Sequence, residues 1–324
     1  MASGRAEPVV SVVSPFYDRA AYLPSVILTL QAQSFRDVEL VIADDASRDG
    51  LAGAVEKIDA GFPVRYVRLA SNRGAASARN AGIDAARGRY IALLDSDDGW
   101  HPDKLLLQLR HLEAAETPGR LVSLTRQVVK GRRSHVAPSC LMTPADDVGD
   151  YLFRQGGIIQ SSMMMLSRNL AAEVRFEEGS RGHDDWSFAL RLQSAGARFE
   201  MLPEPLTIYD DGTGRMRRSP SYSAARLQWL QQRRAEIGEA AYWAAVAAVA
   251  SHLPKTSAAN PLRLIATAHG NGAVGLPRTA YYMLSWAFPP ARSLARSAFA
   301  AWAGRPSART SRLPAAQRRN GADE

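Results

Sequence analysis

One stretch decides the fold of this chain: Tyr90-Ile91-Ala92-Leu93-Leu94-Asp95-Ser96-Asp97-Asp98. The short apolar run is typical of a buried strand, and the three carboxylates after it would emerge at one edge of a sheet. Carboxylates this close repel one another, so folding alone does not explain them. A divalent cation would relieve the repulsion through hard oxygen ligands. The alternative is a loop in which Asp97 or Asp98 caps the helix that follows Pro102.

Strand-like and helix-like segments alternate on both sides of this stretch. The sequence predicts strands over 9–14, 38–43, 64–69 and 90–94, and helices over 23–33, 51–60 and 74–86. This alternation predicts a parallel sheet with right-handed crossovers, in which ligands bind beyond the carboxyl ends of the strands. The loops expected at that edge are 15–18, 44–50 and 95–98. We therefore expect them to form one ligand site.

The rest of the chain follows a looser pattern. The sequence predicts helices over 104–115 and 185–194, and strands over 121–130, 163–166 and 199–202. Beyond about residue 223 the chain turns helical and alanine-rich, and 306–324 has the composition of a disordered tail. These divisions predict a catalytic domain over 1–222, a helical basic region over 223–305 and a tail over 306–324.

Composition narrows the classes of function. A single cysteine, Cys140, excludes an internal disulfide framework and fits a reducing compartment. Arg5 and Glu7 interrupt any secretory signal, and no apolar stretch is long enough to span a membrane. We therefore expect a cytoplasmic protein. The net charge of +8 is concentrated from residue 261 onward, where nine arginines and two acids give +7.

The acidic loops suit a nucleotide ligand. One carboxylate can accept a hydrogen bond from a base or a ribose, while another holds the cation that neutralises the phosphates. The chain has neither GxGxxG after a strand nor GxxxxGK[ST], which argues against dinucleotide oxidoreductases and P-loop nucleotidases. Neutralising the phosphates is therefore left to a metal ion and arginine side chains.

Four linked motifs resemble those of family 2 glycosyltransferases, which use nucleotide sugars and invert the anomeric centre. They are 11–18 (SVVSPFYD), 41–50 (VIADDASRDG), 72–82 (NRGAASARNAG) and 90–98 (YIALLDSDD). The resemblance implies an α/β GT-A fold, with a Rossmann-like, mostly parallel sheet flanked by helices and a helical C-terminal appendage. It also implies a nucleotide-binding half at 9–104 and an acceptor half at 105–222, where the likeness is weaker.

The resemblance assigns roles to single residues. The nucleotide-sugar-binding residues that it implies are Pro15, Tyr17, Asp45, Arg73, Arg79, Asp95 and Ser96. Asp45 takes the position of the nucleobase carboxylate, with Pro15 and Tyr17 lining the same pocket. For the two arginines a solvated helix face is the alternative. Asp44 is equally well explained as a structural turn former.

The resemblance also implies a metal site. Asp95 and Asp97 resemble the DxD pair of the family, with Mn²⁺ or Mg²⁺ as the implied cofactor. Asp97 is the expected direct metal contact, and Asp95 is expected toward the ribose or sugar as well. Asp98 is expected behind this pair or at a helix cap.

An inverting displacement needs a general base that takes the proton of the acceptor hydroxyl. The family usually supplies it from a Glu-Asp pair that opens a helix. Here Asp185 aligns with the base and Asp184 replaces the Glu. A helix N-cap is the structural alternative for Asp185, and His183 is a third candidate.

One departure from the family concerns the diphosphate. Many members carry a His after the next strand, whereas 208–215 here contains none. Arg215 is the candidate for supplying positive charge to the diphosphate, with Arg217 and Arg218 beside it. A solvated basic loop is the alternative.

The C-terminal region interleaves aromatic residues with arginines. They are Tyr281, Tyr282, Trp286, Phe288, Arg292, Arg296, Phe299, Trp302 and Arg305. This pattern suits attachment to an anionic membrane surface, which would help an enzyme with a lipid-linked acceptor. The alternative is a helical subdomain that packs its aromatics on the catalytic body. Nothing in this region matches a nucleic-acid-binding motif.

The sequence therefore predicts a metal-dependent, inverting, hexosyltransferase-type enzyme. It would move a sugar from a nucleoside diphosphate donor, UDP by family habit, to a hydroxyl of a saccharide or lipid-linked saccharide in bacterial surface polysaccharide or glycolipid assembly. Membrane contact is expected through 261–305, at the inner face, and no nucleic acid is expected. The alternatives are a nucleotidyltransferase that makes sugar nucleotides and a non-catalytic sugar-nucleotide-binding protein.

Overall fold

A computed structural model describes residues 7–131, 134–179, 182–210, 220–254, 257 and 259–288. Within these residues one mixed sheet of nine strands forms the centre of the fold. The strands are β1 (Val10–Phe16), β2 (Val38–Asp44), β3 (Val64–Arg68), β4 (Tyr90–Leu93), β5 (Gly99–Trp100), β6 (Leu121–Lys130), β7 (His135–Ala137), β8 (Met165–Ser167) and β9 (Arg198–Asp210). Their order is β3-β2-β1-β4-β8-β6-β9-β5, and β7 pairs with β6.

Helices cover the sheet and continue beyond it. They are α1 (Leu23–Gln31), α2 (Leu51–Glu56), α3 (Ala75–Ala85), α4 (Lys104–Ala114), α5 (Val148–Asp150), α6 (Arg168–Val174), α7 (Asp184–Ser194), α8 (Pro220–Gln232), α9 (Arg234–Ile237), α10 (Glu239–Ala250), α11 (Pro261–Gly270) and α12 (Leu276–Ala287). A π-helical turn at Tyr151–Gln155 continues α5, and a 3₁₀ turn at Ser161–Met163 precedes β8. None of the described helices is both long and apolar enough to cross a bilayer.

The predicted parallel half is confirmed. β1 pairs in parallel with β2 and β4, and β2 pairs in parallel with β3. α3 approaches β1 closely at Gly82, where an added Cβ would lie 2.5 Å from Cγ1 of Val13. The helix predicted over 51–60 was too long, because α2 ends at Glu56. Gly61 and Pro63 follow, and neither favours a continuing helix.

The second half of the sheet is mixed. β8 pairs antiparallel with both β4 and β6, while β9 pairs in parallel with β6. The strand predicted over 199–202 was too short, since β9 continues to Asp210. Leu202 pairs with Thr125 and Pro205 pairs with Arg126, so two residues bulge out between them. A bulge accommodates proline in a strand. Because Pro203 and Pro205 disfavour a regular strand, the sequence did not predict that the strand continues through them.

Two hydrophobic clusters fill the two faces of the sheet. Because side chains alternate along a strand, Val12 lies in one cluster and its neighbour Val13 in the other. The cluster around Val13 also contains Trp229, Ile265 and Val274 from the C-terminal helices. These helices therefore share a core with the sheet, and the domain boundary at 222/223 stays a prediction.

Candidate active site

The loops after β1 and β2 are joined at the carboxyl edge of the sheet. Phe16 pairs with Asp44 at the ends of the two strands, and the Asp45 amide donates to the Phe16 carbonyl at 2.8 Å. The Asp18 amide donates to Oγ of Ser47 at 3.0 Å. The two loops thus form one continuous rim, as the strand pattern predicted.

Asp45 connects this rim to the start of α3. Its side chain is buried, and its two carboxylate oxygens accept the backbone N–H groups of Arg73 and Gly74, each at 2.7 Å. This anion at the amino end of α3 is favoured by the helix dipole. Tyr17 beside it is 43% exposed and Pro15 is half-buried. The structure thus brings three expected nucleotide-pocket residues onto one rim.

Asp44 has a structural role in the same turn. Its Oδ1 accepts the Ser47 amide at 2.7 Å, while Oδ2 accepts from the Tyr66 hydroxyl and from Arg68. Burial alone would raise the pKa of Asp44, but the hydrogen bonds from Ser47 and Tyr66, together with Arg68, lower it below its ordinary value. Asp44 is therefore a charged turn former beneath the rim.

The three acids after β4 point in different directions. Asp98 is buried and accepts from Oγ of Ser162 at 2.6 Å, and the same hydroxyl accepts the Asp95 amide at 3.0 Å. Asp97 pairs with Arg19, with 2.8 Å between Oδ2 and Nη1. Ser162 therefore braces the turn from below, while Asp95 and Asp97 remain partly exposed above it.

Arg79 connects the acids of the two halves. Its side chain is only 6% exposed, and its Nη2 lies 2.7 Å from Oδ1 of Asp95. Its Nη1 lies 3.7 Å from Oδ2 of Asp184, and its guanidinium also faces the ring of Phe176 at 5.2 Å. Burial by itself lowers the pKa of Arg79, but Asp95, Asp185 and Asp184 raise it above its ordinary value. One permanent buried cation therefore faces three candidate site carboxylates.

Asp184 and Asp185 open α7 side by side. Burial, only partly offset by Arg79, raises the pKa of Asp184 to about 6. Burial also raises the pKa of Asp185, opposed by Arg79 and by the hydroxyl of Ser161, which donates to Oδ1. The ring of His183 stacks on Trp186 with centroids 4.7 Å apart. Two carboxylates with raised pKa values thus lie across Arg79 from Asp95.

The structure contradicts both helix-cap alternatives. Asp103, and neither Asp97 nor Asp98, is the N-cap residue of α4. His183 is the N-cap residue of α7, in a left-handed conformation with φ of 62°, so that Asp185 lies inside the first turn. Asp97, Asp98 and Asp185 are therefore not N-cap residues, although the helix dipole still favours Asp184 and Asp185 in the first turn of α7.

Three contacts were not predicted from the sequence. Arg19 contacts Asp97 and, at 3.4 Å, Oγ of Ser96. Ser161 donates to Asp185, and Ser162 donates to Asp98 and accepts the Asp95 amide. Glu178 accepts from Oγ of Ser77 at 2.9 Å and also holds the guanidinium of Arg73. For these contacts the sequence offered one signal, which is that Arg19 directly follows the loop 15–18.

Other expected residues lie outside the described part of the chain. They are Arg215, Arg217, Arg218, Arg292, Arg296, Phe299, Trp302, Arg305 and the tail 306–324. Tyr282 packs against the main core, as the packing alternative expected, and Trp286 is half-buried.

The acids after β4 suit a cation that is shared with a substrate. Among the described residues no cluster of three or more Asp, Glu, His or Cys side chains forms a metal cage. Mg²⁺ is usually held by one or two carboxylates and the phosphates of a substrate, and needs no such cage. Asp95 and Asp97, with hard oxygens at a partly open rim, fit that description.

Comparison with known proteins identifies the family. A model described as "Glycosyl transferase family 2" matches residues 11–175, about half of the chain. The amylovoran biosynthesis glycosyltransferase AmsB of Erwinia amylovora is 34% identical over 206 residues, 61% of this chain and 68% of the relative. The succinoglycan biosynthesis protein ExoO of Rhizobium meliloti is 31% identical over 62% of this chain and 60% of its own length.

Solved structures show the same fold. S. aureus TarS 1–349 in complex with UDP-GlcNAc has a TM-score of 0.57 at 16% identity, covering 90% of this chain and 92% of that one. The mannosyltransferase PcManGT of Pyrobaculum calidifontis, in complex with GDP-Man and Mn²⁺, has a TM-score of 0.51 at 22% identity, covering 93% and 77%. The chain belongs to glycosyl transferase family 2 and is a glycosyltransferase with a GT-A fold. This membership sets aside the nucleotidyltransferase alternative.

Proposed function

We propose that this enzyme transfers a hexosyl group from a nucleoside diphosphate sugar to a hydroxyl of a saccharide or lipid-linked saccharide, with inversion at the anomeric carbon. One observation carries the proposal. Arg79 contacts Asp95 on the donor side and faces Asp184 and Asp185 on the acceptor side, within one buried charge cluster at the carboxyl edge of the sheet. Donor and acceptor groups can therefore meet above a single guanidinium.

The nucleotide is proposed to lie across the loops after β1 and β2. The exposed ring of Tyr17 can stack on a base, with Pro15 beside it. Both oxygens of Asp45 accept backbone N–H groups and still retain lone pairs for a base N–H. Arg73 is proposed near the nucleotide. TarS binds UDP-GlcNAc and PcManGT binds GDP-Man, so UDP is proposed here from family habit alone.

Mn²⁺ or Mg²⁺ is the proposed cofactor, held by Asp97 and Asp95, with Ser96 between them beside the sugar. When bound, the ion would neutralise charge on the departing diphosphate. The Mn²⁺ in the PcManGT complex supports this assignment. Arg215 is proposed to add positive charge at the diphosphate. An Arg215→Ala enzyme with unchanged donor affinity and turnover would remove that role.

Asp185 is the proposed general base. Its carboxylate takes the proton of the acceptor hydroxyl while the oxygen attacks the anomeric carbon and the electrons of the breaking C–O bond leave with the diphosphate. The hydroxyl of Ser161, which donates to Oδ1, fixes the carboxylate. Asp184 is proposed to assist as the neighbouring acid.

The acceptor is proposed to be a precursor of a bacterial surface polysaccharide or glycolipid. The two curated relatives are named for amylovoran and succinoglycan biosynthesis, which supports this class. Residues 105–222 are proposed to bind it. A cytoplasmic position at the inner membrane face, with contact through 261–305, would bring the enzyme to a lipid-linked acceptor.

A donor screen tests this function. The purified enzyme is given a panel of nucleotide sugars with Mn²⁺, Mg²⁺ or EDTA, and NMR reads the anomer of each product. We expect turnover of one donor class with inversion, at least 100-fold loss in Asp97→Asn and little change in the exposed control Asp103→Asn. Full turnover in EDTA would contradict the metal role, and a retained anomer would contradict inversion. Failure to turn over any nucleotide sugar of the panel would contradict the proposed donor class.

A further inference from the structure

The first residue of α4 is a lysine that is fully enclosed. Lys104 is 0% exposed, although lysine is among the residues least often buried and an enclosed amine loses its hydration. Burial lowers the pKa of Lys104 well below its ordinary value, which favours the uncharged amine. Because solvent does not reach this amine, it cannot touch a substrate. Any part that it has in the reaction must therefore pass through the residues around it.

Two buried residues surround the amine. Nζ of Lys104 donates to Oε1 of Gln108 at 2.5 Å and lies 4.2 Å from the ring centroid of Trp100. With its oxygen engaged, the Gln108 amide has one orientation, in which Nε2 donates to the carbonyls of Ser123 and Met163 at 2.7 and 3.0 Å. The opposite orientation would place Oε1 against two carbonyl oxygens. Lys104 thus fixes the direction of this amide.

Both neighbours hold the backbone of a turn that borders the candidate site. This is the 3₁₀ turn Ser161–Met163, called the serine turn below. Nε1 of Trp100 donates to the Ser162 carbonyl at 3.0 Å. Nε2 of Gln108 donates to the next carbonyl, that of Met163, at the same distance. The buried amine therefore contacts both side chains that hold these consecutive carbonyls.

The serine turn contacts both sides of the site. The Ser161 hydroxyl donates to Oδ1 of Asp185, the proposed base. The Ser162 hydroxyl donates to Oδ2 of Asp98 at 2.6 Å and accepts the Asp95 amide at 3.0 Å. A shift of this turn would therefore move the proposed base relative to the acids after β4. A displacement of about 1 Å between reacting groups can cost about 100-fold in rate.

We propose that Lys104 is a positioning residue for the transfer reaction. Through its two neighbours it holds the serine turn, and the serine turn sets where Asp185 lies relative to the acids after β4. The amine itself takes no part in proton transfer. The inference rests on the proposed function, because it takes Asp185 as the general base, and it adds a residue of α4 that the site as described above does not include.

The test removes the amine and leaves its volume filled. Lys104→Met takes away the donor to Gln108, so that the amide can turn over, while an apolar side chain of similar length fills the space. Gln33→Met is the matched control. Gln33 is also 0% exposed and accepts the Leu105 amide of α4 at 3.2 Å, but its remaining hydrogen bonds go to backbone carbonyls outside the serine turn.

The readouts are Tm and the single-turnover release of nucleoside diphosphate from the nucleotide sugar found in the donor screen, between about pH 5 and 9. We expect Lys104→Met to lose at least about tenfold in this rate. Burial raises the pKa of Asp185, the Ser161 hydroxyl opposes that rise, and a loosened turn withdraws the hydroxyl, so the acid limb should rise by about half a pH unit or more. Gln33→Met should lower Tm by at least as much, yet stay within about threefold of the wild-type rate with the profile in place.

A wild-type rate and profile in Lys104→Met would overturn the proposal, and so would equal losses in Lys104→Met and Gln33→Met. If Lys104→Met does not fold, Gln108→Met removes the donor to the Met163 carbonyl and carries the same expected and contradicting results. Asp185→Asn separates this inference from the proposed function. Retained transfer in Asp185→Asn contradicts the proposed function, whereas its loss beside a wild-type result in Lys104→Met contradicts the inference alone.

Discussion

Replacing Arg79 by Met tests the charge cluster at the centre of the site. Removing one partner of a buried ion pair costs about 3–5 kcal/mol of unfolding free energy. The side chains of Asp95 and Asp184 retain 28% and 17% exposure, so water recovers part of this. We therefore expect a loss of about 2–3 kcal/mol, or about 3–5 °C in Tm for a chain of this size.

The same change should move the pH dependence of catalysis. The guanidinium of Arg79 opposes the rise that burial causes in the pKa of Asp184 and Asp185. Nη1 of Arg79 lies 3.7 Å from Oδ2 of Asp184. With an effective dielectric constant of about 40 for this partly solvated pair, their attraction is about 2 kcal/mol, which corresponds to about 1.5 units in the pKa of the carboxyl. Without it both carboxyls hold their protons to higher pH, so the acid limb of the pH–rate profile should rise by about 1–2 units.

Thermal unfolding and donor hydrolysis between about pH 5 and 9 measure the two effects. Arg89→Met is the matched control, because Arg89 is 65% exposed and pairs with Glu113 at 3.8 Å on the surface. We expect it to change stability by less than about 1 kcal/mol and to leave the profile in place. If Arg79→Met does not fold, Arg79→Lys keeps the charge and should keep the profile. Wild-type stability and a superimposed profile in Arg79→Met would refute the reasoning.

Two further predictions concern stability, and a third concerns cation binding. The folded-state pKa of Asp184 is about 6, above its ordinary 3.8, so ionising this carboxyl lowers the free energy of unfolding as pH rises through that window. Asp184→Asn should therefore be more stable than wild type by about 1–3 kcal/mol at pH 8, with no gain at pH 3. Gly82→Ala should lower the free energy of unfolding, measured by chemical denaturation, by about 1–3 kcal/mol, because its Cβ would meet Val13. Gly53→Ala in α2 has open space around the new Cβ and should be neutral or stabilising. Equal effects of the two substitutions would contradict this. Mn²⁺ titration with donor should give at least tenfold weaker binding in Asp97→Asn, and unchanged affinity would exclude that ligand.

The rim was predictable because it depends on local sequence. Short apolar runs that end in Asp45 or Asp95 define strands, and the carboxyl ends of parallel strands meet at one edge. The positions of Asp184 and Asp185 came from the resemblance, and the structure brings both to the same edge. Their roles there stay predictions.

The bracing of the site was not predictable in the same way. Ser162 reaches Asp98 across 64 residues because β8 pairs antiparallel with β4, and β8 is only three residues long. So short a strand carries little pattern. Arg79 was expected near the nucleotide from its place on α3. Its burial beneath the rim depends on Phe176, which arrives from a loop that the sequence does not position.

The most direct test of the central claim compares Asp185→Asn with Asp184→Asn. Donor affinity is measured by calorimetry, and transfer to the acceptor, or to water, is measured in a single turnover. Since a general base contributes about 10²–10⁴-fold, Asp185→Asn should lose at least 100-fold in transfer while it binds the donor within about threefold of wild type. Asp184→Asn should lose less. Transfer by Asp185→Asn within tenfold of wild type would contradict the account.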